Sequence, residues 1–96
     1  MPSNRQARIN RLKAAFQKAE TLMNEGYIVQ WDGEVVEEVI FNEDSLLLET
    51  NFENFIHRTT IYDSHDSTDY ADRTISEINA ELKERLTVWK KVEIKL

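Results

Sequence analysis

Tyr27-Ile28-Val29-Gln30-Trp31-Asp32-Gly33-Glu34-Val35-Val36-Glu37-Glu38-Val39-Ile40-Phe41 is the stretch that decides the fold. Its first five residues are β-branched, aromatic or strand-compatible. They run into Asp-Gly, the dipeptide that tolerates the two positive φ angles of a type I′ turn. A β-hairpin follows, with Glu34 to Phe41 as the return strand.

Working downstream, Asn42 to Ser45 reads as a second turn and Leu46 to Thr50 as a third strand. Asn51 to Asn54 reads as a third connection and Phe55 to Tyr62 as a fourth strand. Connections this short predict an antiparallel meander, because parallel neighbours require a long crossover. Upstream, Ile9, Leu12, Phe16, Ala19 and Met23 recur at spacings of three and four, one stripe of an amphipathic helix from Ser3 to Glu25. Ser3 or Asn4 can cap its start and Gly26 its end. Beyond the polar segment Asp63 to Thr68, the residues Ala71, Ile75, Ile78, Leu82, Leu86 and Trp89 mark a second helical stripe, predicted to end near Lys90 or Lys91. The tail Val92 to Leu96 alternates like a short strand or frays. The expectation is an α+β protein, a single domain over 1–96, with a four-stranded antiparallel sheet and an N-terminal and a C-terminal helix in the order α-β-β-β-β-α. The helices cover the apolar face of the sheet.

Ninety-six residues, 41% of them hydrophobic, with two Gly and one Pro, suit one folded core. There is no cysteine, which excludes disulfides, thiol nucleophiles and cysteine-ligated zinc and fits a reducing cytosol. No stretch approaches the roughly 18 apolar residues of a membrane span, and the first residues do not form a signal peptide. A soluble cytoplasmic protein is expected.

The net charge of −6 hides a segregated distribution. Residues 1–18 carry five bases and no acid, residues 19–72 fourteen acids and one base (Arg58), and residues 73–96 six bases and four acids. From Ala19 to Ile56 there are ten acids and no base. A field this negative repels itself and contributes nothing to packing, so it points to a basic partner or to solubility. The electrostatic requirement for binding nucleic acid is the opposite one, which makes direct DNA binding the wrong reading for the middle of the chain.

Carboxylates on strands and helix starts can approximate a phosphate row, since alternate strand residues lie about 6.6–6.8 Å apart and phosphates advance about 3.4 Å per step. The candidate partner-binding acids are Asp32, Glu34, Glu37, Glu38, Glu43, Asp44, Asp63, Asp66 and Asp69. Glu49, Glu53 and Asp72 belong to the same acidic segment. Phe52 and Phe55 flank a turn, and if exposed they are candidate anchors for a protein partner.

A catalytic reading finds little. His57, His65 and the aspartates at 63, 66, 69 and 72 match neither a calcium loop nor a two-histidine zinc motif, and there is no glycine-rich phosphate loop. No enzyme, no metal and no cofactor is the expectation. His57 and Arg58 are expected on the solvent face of the fourth strand.

Trp31-Asp32-Gly33-Glu34, followed seven positions after Glu34 by Phe41-Asn42-Glu43-Asp44-Ser45-Leu46-Leu47, resembles the small phage-encoded anti-CRISPR proteins of the acidic DNA-mimic kind that block the type I-F (Csy) surveillance complex. The similarity covers roughly Ala19 to Leu48. It implies a monomer acting in the cytoplasm of a bacterial host. Such a protein lodges in the lysine-lined entry for double-stranded target DNA, between the large subunit and the neighbouring backbone and tail subunits, and so excludes the target. Glu34 falls on a contact position of the family. Glu43 and Asp44 fall on contact positions only with a shift, because Asn42 stands where an acid is expected. The family's trailing helix is strongly acidic, whereas here Glu77, Glu81 and Glu84 are mixed with Lys83, Arg85, Lys90 and Lys91. The alternative from the same charge pattern is an acidic antitoxin or nuclease inhibitor that plugs the basic active site of another enzyme.

Overall fold

A computed structural model describes residues 4–65 and 70–89. The chain runs through α1 (Asn4–Asn24), β1 (Ile28–Trp31), β2 (Glu34–Phe41), β3 (Ser45–Phe52), β4 (Phe55–Asp63), a 3-10 turn (Tyr70–Asp72), α2 (Ile75–Arg85) and β5 (Leu86–Trp89). The strands form one antiparallel sheet in the order β4-β3-β2-β1-β5. This α+β architecture has the expected meander and two helices, but its sheet has five strands rather than four.

α1 buries Leu12, Phe16 and Ala19, with Ile9, Ala15 and Met23 partly covered beside them. It ends in a Schellman motif. The Gly26 N–H donates to Met23 O (3.0 Å), the Tyr27 N–H donates to Leu22 O (2.9 Å), and Gly26 holds φ +98°. The β1–β2 hairpin turns on Asp32 (φ 51°) and Gly33 (φ 81°), which leaves Trp31 directly opposite Glu34. That geometry is the type I′ turn predicted from the dipeptide. β3 continues two residues past Thr50, so the β3–β4 connection is only Glu53-Asn54. Both residues have positive φ (52° and 70°), and Phe52 faces Phe55 across the turn.

Residues paired across an antiparallel sheet share a face. Trp31, Val36, Val39, Leu46 and Leu48 therefore line one face. With Val29, they pack against Leu12, Phe16, Ile78 and Leu82 of the helices. Phe16 meets Trp31 edge to face at 5.7 Å, and Trp31 meets Tyr70 in the same way at 5.6 Å. A bulge between Val36 and Glu38 inserts Glu37, which lets Val36 and Val39 both point inward while Glu37 and Glu38 stay exposed.

The second helix differs from its sequence reading at both ends. Ala71 belongs to the separate 3-10 turn, and α2 begins after Thr74, whose hydroxyl accepts from the Glu77 N–H (3.2 Å) in a capping box. At the other end α2 stops at Arg85 instead of near Lys90, and Leu86-Thr87-Val88-Trp89 becomes β5 along the outer edge of β1. The spacing Leu82-Leu86-Trp89 satisfies a helical stripe, yet β-branched and aromatic residues also suit a strand. What decides between them is tertiary: β1 has an open edge, and pairing with β5 satisfies its backbone from Ile28 to Trp31. The tail from Val92 to Leu96 lies outside the described residues, as do Asp66 and Asp69.

Candidate acidic interface

The acids named from the sequence divide into two groups once their neighbours are known. The first group is held by other side chains of the protein. Asp32 sits beside Arg85, with Oδ1 2.8 Å from the guanidinium Nε, and its backbone N–H donates to Arg85 O (3.0 Å). Arg85 also lies over the rings of Trp31 (5.4 Å) and Tyr70 (5.5 Å), so this ion pair ties the hairpin turn to the end of α2. Glu49 is bonded to Arg58 at 2.6 Å across the β3–β4 pair. Asp72 is paired with Arg5, and Glu81 with Arg73.

Glu34 belongs to this group for a geometric reason. The two residues flanking a two-residue hairpin turn face the same way, so a buried Trp31 places Glu34 on the helix side of the sheet. Its Oε1 accepts the hydroxyl of Thr50 (3.1 Å), the one buried polar residue of the described core, and lies 2.6 Å from His57 Nδ1. His57 pairs in register with Thr50 and therefore shares this face, not the open face where Arg58 lies. Both bonds go to Oε1. Oε2 accepts none among the described residues, and the side chain keeps 27% of its surface exposed.

The second group consists of Glu37, Glu38, Glu43, Asp44 and Glu53. All five are exposed, and none has a cationic partner within salt-bridge distance among the described residues. They run along β2 and out to the two hairpin turns, β2–β3 at one end of the sheet and β3–β4 at the other. At about 3.3 Å per residue the distance between these turns is roughly 30 Å, a little less than one turn of B-form duplex at about 34 Å. Glu43 and Asp44 share a small cleft with Arg5 and Lys13 of α1. Asp63, at the same end, accepts the backbone N–H of His65 on Oδ1 (3.0 Å), which closes the turn at Ser64 and His65.

The unneutralised bases lie on the helices, Lys13 among them in the cleft with Glu43 and Asp44. Arg8 donates to Ala71 O (2.6 Å) and Arg11 to Asn79 Oδ1 (2.7 Å), and neither has a carboxylate partner among the described residues. Lys13, Lys18 and Lys83 likewise have none there. All five belong to α1 or α2. Every unpaired base of the described residues thus lies on a helix, whereas unpaired acids occur on β2 and in the β2–β3 and β3–β4 turns and also at Glu20, Glu25 and Glu84 in or beside the helices.

Charge counted along the chain groups Glu34 and Asp32 with the outward acids; strand phase turns Glu34 to the side of the buried Trp31, while Asp32 stays exposed but is paired with Arg85. Not foreseen from the sequence is Ile56, which stands 59% exposed beside Phe52 (50%) and Phe55 (68%) at the β3–β4 turn. No helix among the described residues is long and apolar enough to cross a membrane. No protein-family model, curated protein or solved structure matches the chain.

Proposed function

We propose that this protein is an inhibitor of the anti-CRISPR kind, a mimic of double-stranded DNA that occupies the target and PAM entry of a type I-F surveillance complex and so blocks DNA binding. The observation that carries the proposal is the set of five exposed carboxylates on β2 and in the β2–β3 and β3–β4 turns, none neutralised by a base of the described residues. The resemblance around Trp31-Asp32-Gly33-Glu34 selects the type I-F complex among possible basic partners.

Each carboxylate acts weakly alone, about 1 kcal/mol at 4 Å in water. Arrayed along a cationic cleft they raise the encounter rate and exclude a duplex from the same lysines. Glu37, Glu38, Glu43, Asp44 and Glu53 supply the field. Glu34 adds its free oxygen while Oε1 orders Thr50 and His57, and Asp32 fixes the turn through Arg85. Asp63 extends the row at the β2–β3 end, and Asp66 and Asp69 continue it in the sequence. The surfaces the protein covers are those of the large subunit and the neighbouring backbone and tail subunits.

The test is the association rate of the purified protein with the assembled complex, measured for wild type and for Glu43→Lys/Asp44→Lys across a salt series. The expected result is association slowed at least about tenfold at low salt, with wild type converging on the variant as screening increases. Equal rates for the two proteins at every salt concentration would remove these acids from the interface. Tight binding to an unrelated nuclease or toxin, with none to the surveillance complex, would establish the antitoxin alternative instead.

A further inference from the structure

The β3–β4 turn carries three large apolar side chains that the core does not use. Phe52 and Phe55 are directly opposed and share the helix-side face, beyond the point where Thr50 and Val36 end the buried layer. Ile56 pairs with Asn51 and so lies on the opposite face. The tip is therefore apolar on both sides, a shape suited to entering a recess rather than lying on a flat surface. Exposed apolar residues scattered singly are ordinary, but an opposed Phe pair with an isoleucine on the reverse face of the same hairpin tip marks a contact site.

The charge at this tip narrows the partner. Glu53 occupies the apex between the two phenylalanines and has no cationic partner among the described residues. The nearest base along β4, Arg58, is already bonded to Glu49, and His57 is bonded to Glu34. Glu53 also sits at φ 52°, where a glycine or asparagine is less strained, so the local fold does not call for a glutamate here. A recess that accepts this tip needs apolar walls and a basic group at its floor or rim.

We infer that Phe52, Phe55 and Ile56 anchor the protein in an apolar recess beside the cationic cleft of the same surveillance complex, with Glu53 meeting a lysine or arginine there. The inference rests on the DNA-mimic reading and adds what a duplex lacks. Phosphate contacts lose affinity steeply with salt, whereas burial of the tip is insensitive to screening. The carboxylate row governs arrival and the aromatic tip governs departure, so the inhibitor holds its site against DNA at physiological ionic strength.

The experiment measures both rate constants on the immobilised type I-F complex for wild type, Phe52→Ser/Phe55→Ser, Ile56→Thr and Glu43→Gln/Asp44→Asn, with thermal melts and sedimentation of each protein alone. The double tip variant is expected to dissociate about 30-fold faster or more, as for paired hot-spot residues, with association within about twofold of wild type and a native melt. Ile56→Thr keeps a β-branched residue on the strand and is expected to dissociate several-fold faster. Glu43→Gln/Asp44→Asn is expected to change association alone. Wild-type binding with unaltered dissociation of the tip variants overturns the anchor and leaves the acidic interface standing. Absence of wild-type binding overturns both. Concentration-dependent self-association that the tip variants abolish assigns the tip to a second copy of this chain and overturns the inference as well.

Discussion

Replacing Phe16 by alanine tests how the helix layer positions the hairpin on which the acids are mounted. Phe16 is fully buried and stands edge to face against Trp31, the residue that precedes the Asp32-Gly33 turn. Truncating a buried phenylalanine costs about 3–5 kcal/mol, of which the ring pair accounts for roughly 0.5–1.5. For a domain of this size each kcal/mol lowers Tm by about 4–8 °C, so a fall of roughly 12–40 °C is expected. Phe55→Ala is the internal control: that side chain is 68% exposed, and its removal is expected to change stability by no more than about 0.5 kcal/mol. Urea titrations followed by far-ultraviolet circular dichroism, analysed at constant m, measure both on one scale. A loss below about 1 kcal/mol for Phe16→Ala, or equal losses for the two variants, would refute the docking of α1 against Trp31.

Four further outcomes follow from particular contacts. Glu34→Ala leaves the buried Thr50 hydroxyl without its acceptor, and a loss of about 1–3 kcal/mol is expected in the same titration; an unchanged midpoint would make Glu34 a purely external acid. Glu53→Asn is expected to gain about 0.5–1 kcal/mol by relieving a glutamate at positive φ, while slowing association with the partner. Thr74→Ala is expected to cost about 0.5–2 kcal/mol through loss of the α2 cap, read from a thermal melt. The Thr74 hydroxyl, then its backbone N–H, bonds the Glu77 carboxylate, with Arg73 nearby, and these hold its pKa below the ordinary value. A depressed carboxylate stabilises the fold above the unfolded pKa, about 4.3, and that contribution disappears as pH falls through the folded value. The protection factor of the Ile78 amide, corrected for the intrinsic pH dependence of exchange, is therefore expected to fall on acidification in the wild type and to respond less in Glu77→Gln.

The elements that were legible in the sequence are those fixed by local chemistry. Asp32-Gly33 set the hairpin because few dipeptides accept two positive φ angles, and Gly26 ended α1 where the apolar stripe stops. β5 was not legible, because Leu82, Leu86 and Trp89 fit a helix as well as Leu86 to Trp89 fits a strand. Only the open edge of β1 separates the two. The short β3–β4 turn was hidden by Asn51, a turn-favouring residue that in fact pairs with Ile56 inside the ladder. The site was legible as a charge total and not as a surface. Which acids remain free depends on strand phase, as for Glu34, and on long-range partners such as Arg85 for Asp32 and Arg58 for Glu49. The pattern Val36-Glu37-Glu38-Val39 did contain the bulge signal, two inward valines three apart with two acids between them.

A protein that mimics a duplex must compete with it for one place on the complex. The decisive measurement is the binding of labelled double-stranded target DNA to the type I-F complex preloaded with increasing amounts of the protein. Complementary occupancy is expected, with no complex holding both, and with DNA bound first delaying the protein in the reverse order of addition. A ternary species carrying protein and duplex together at full occupancy would contradict it.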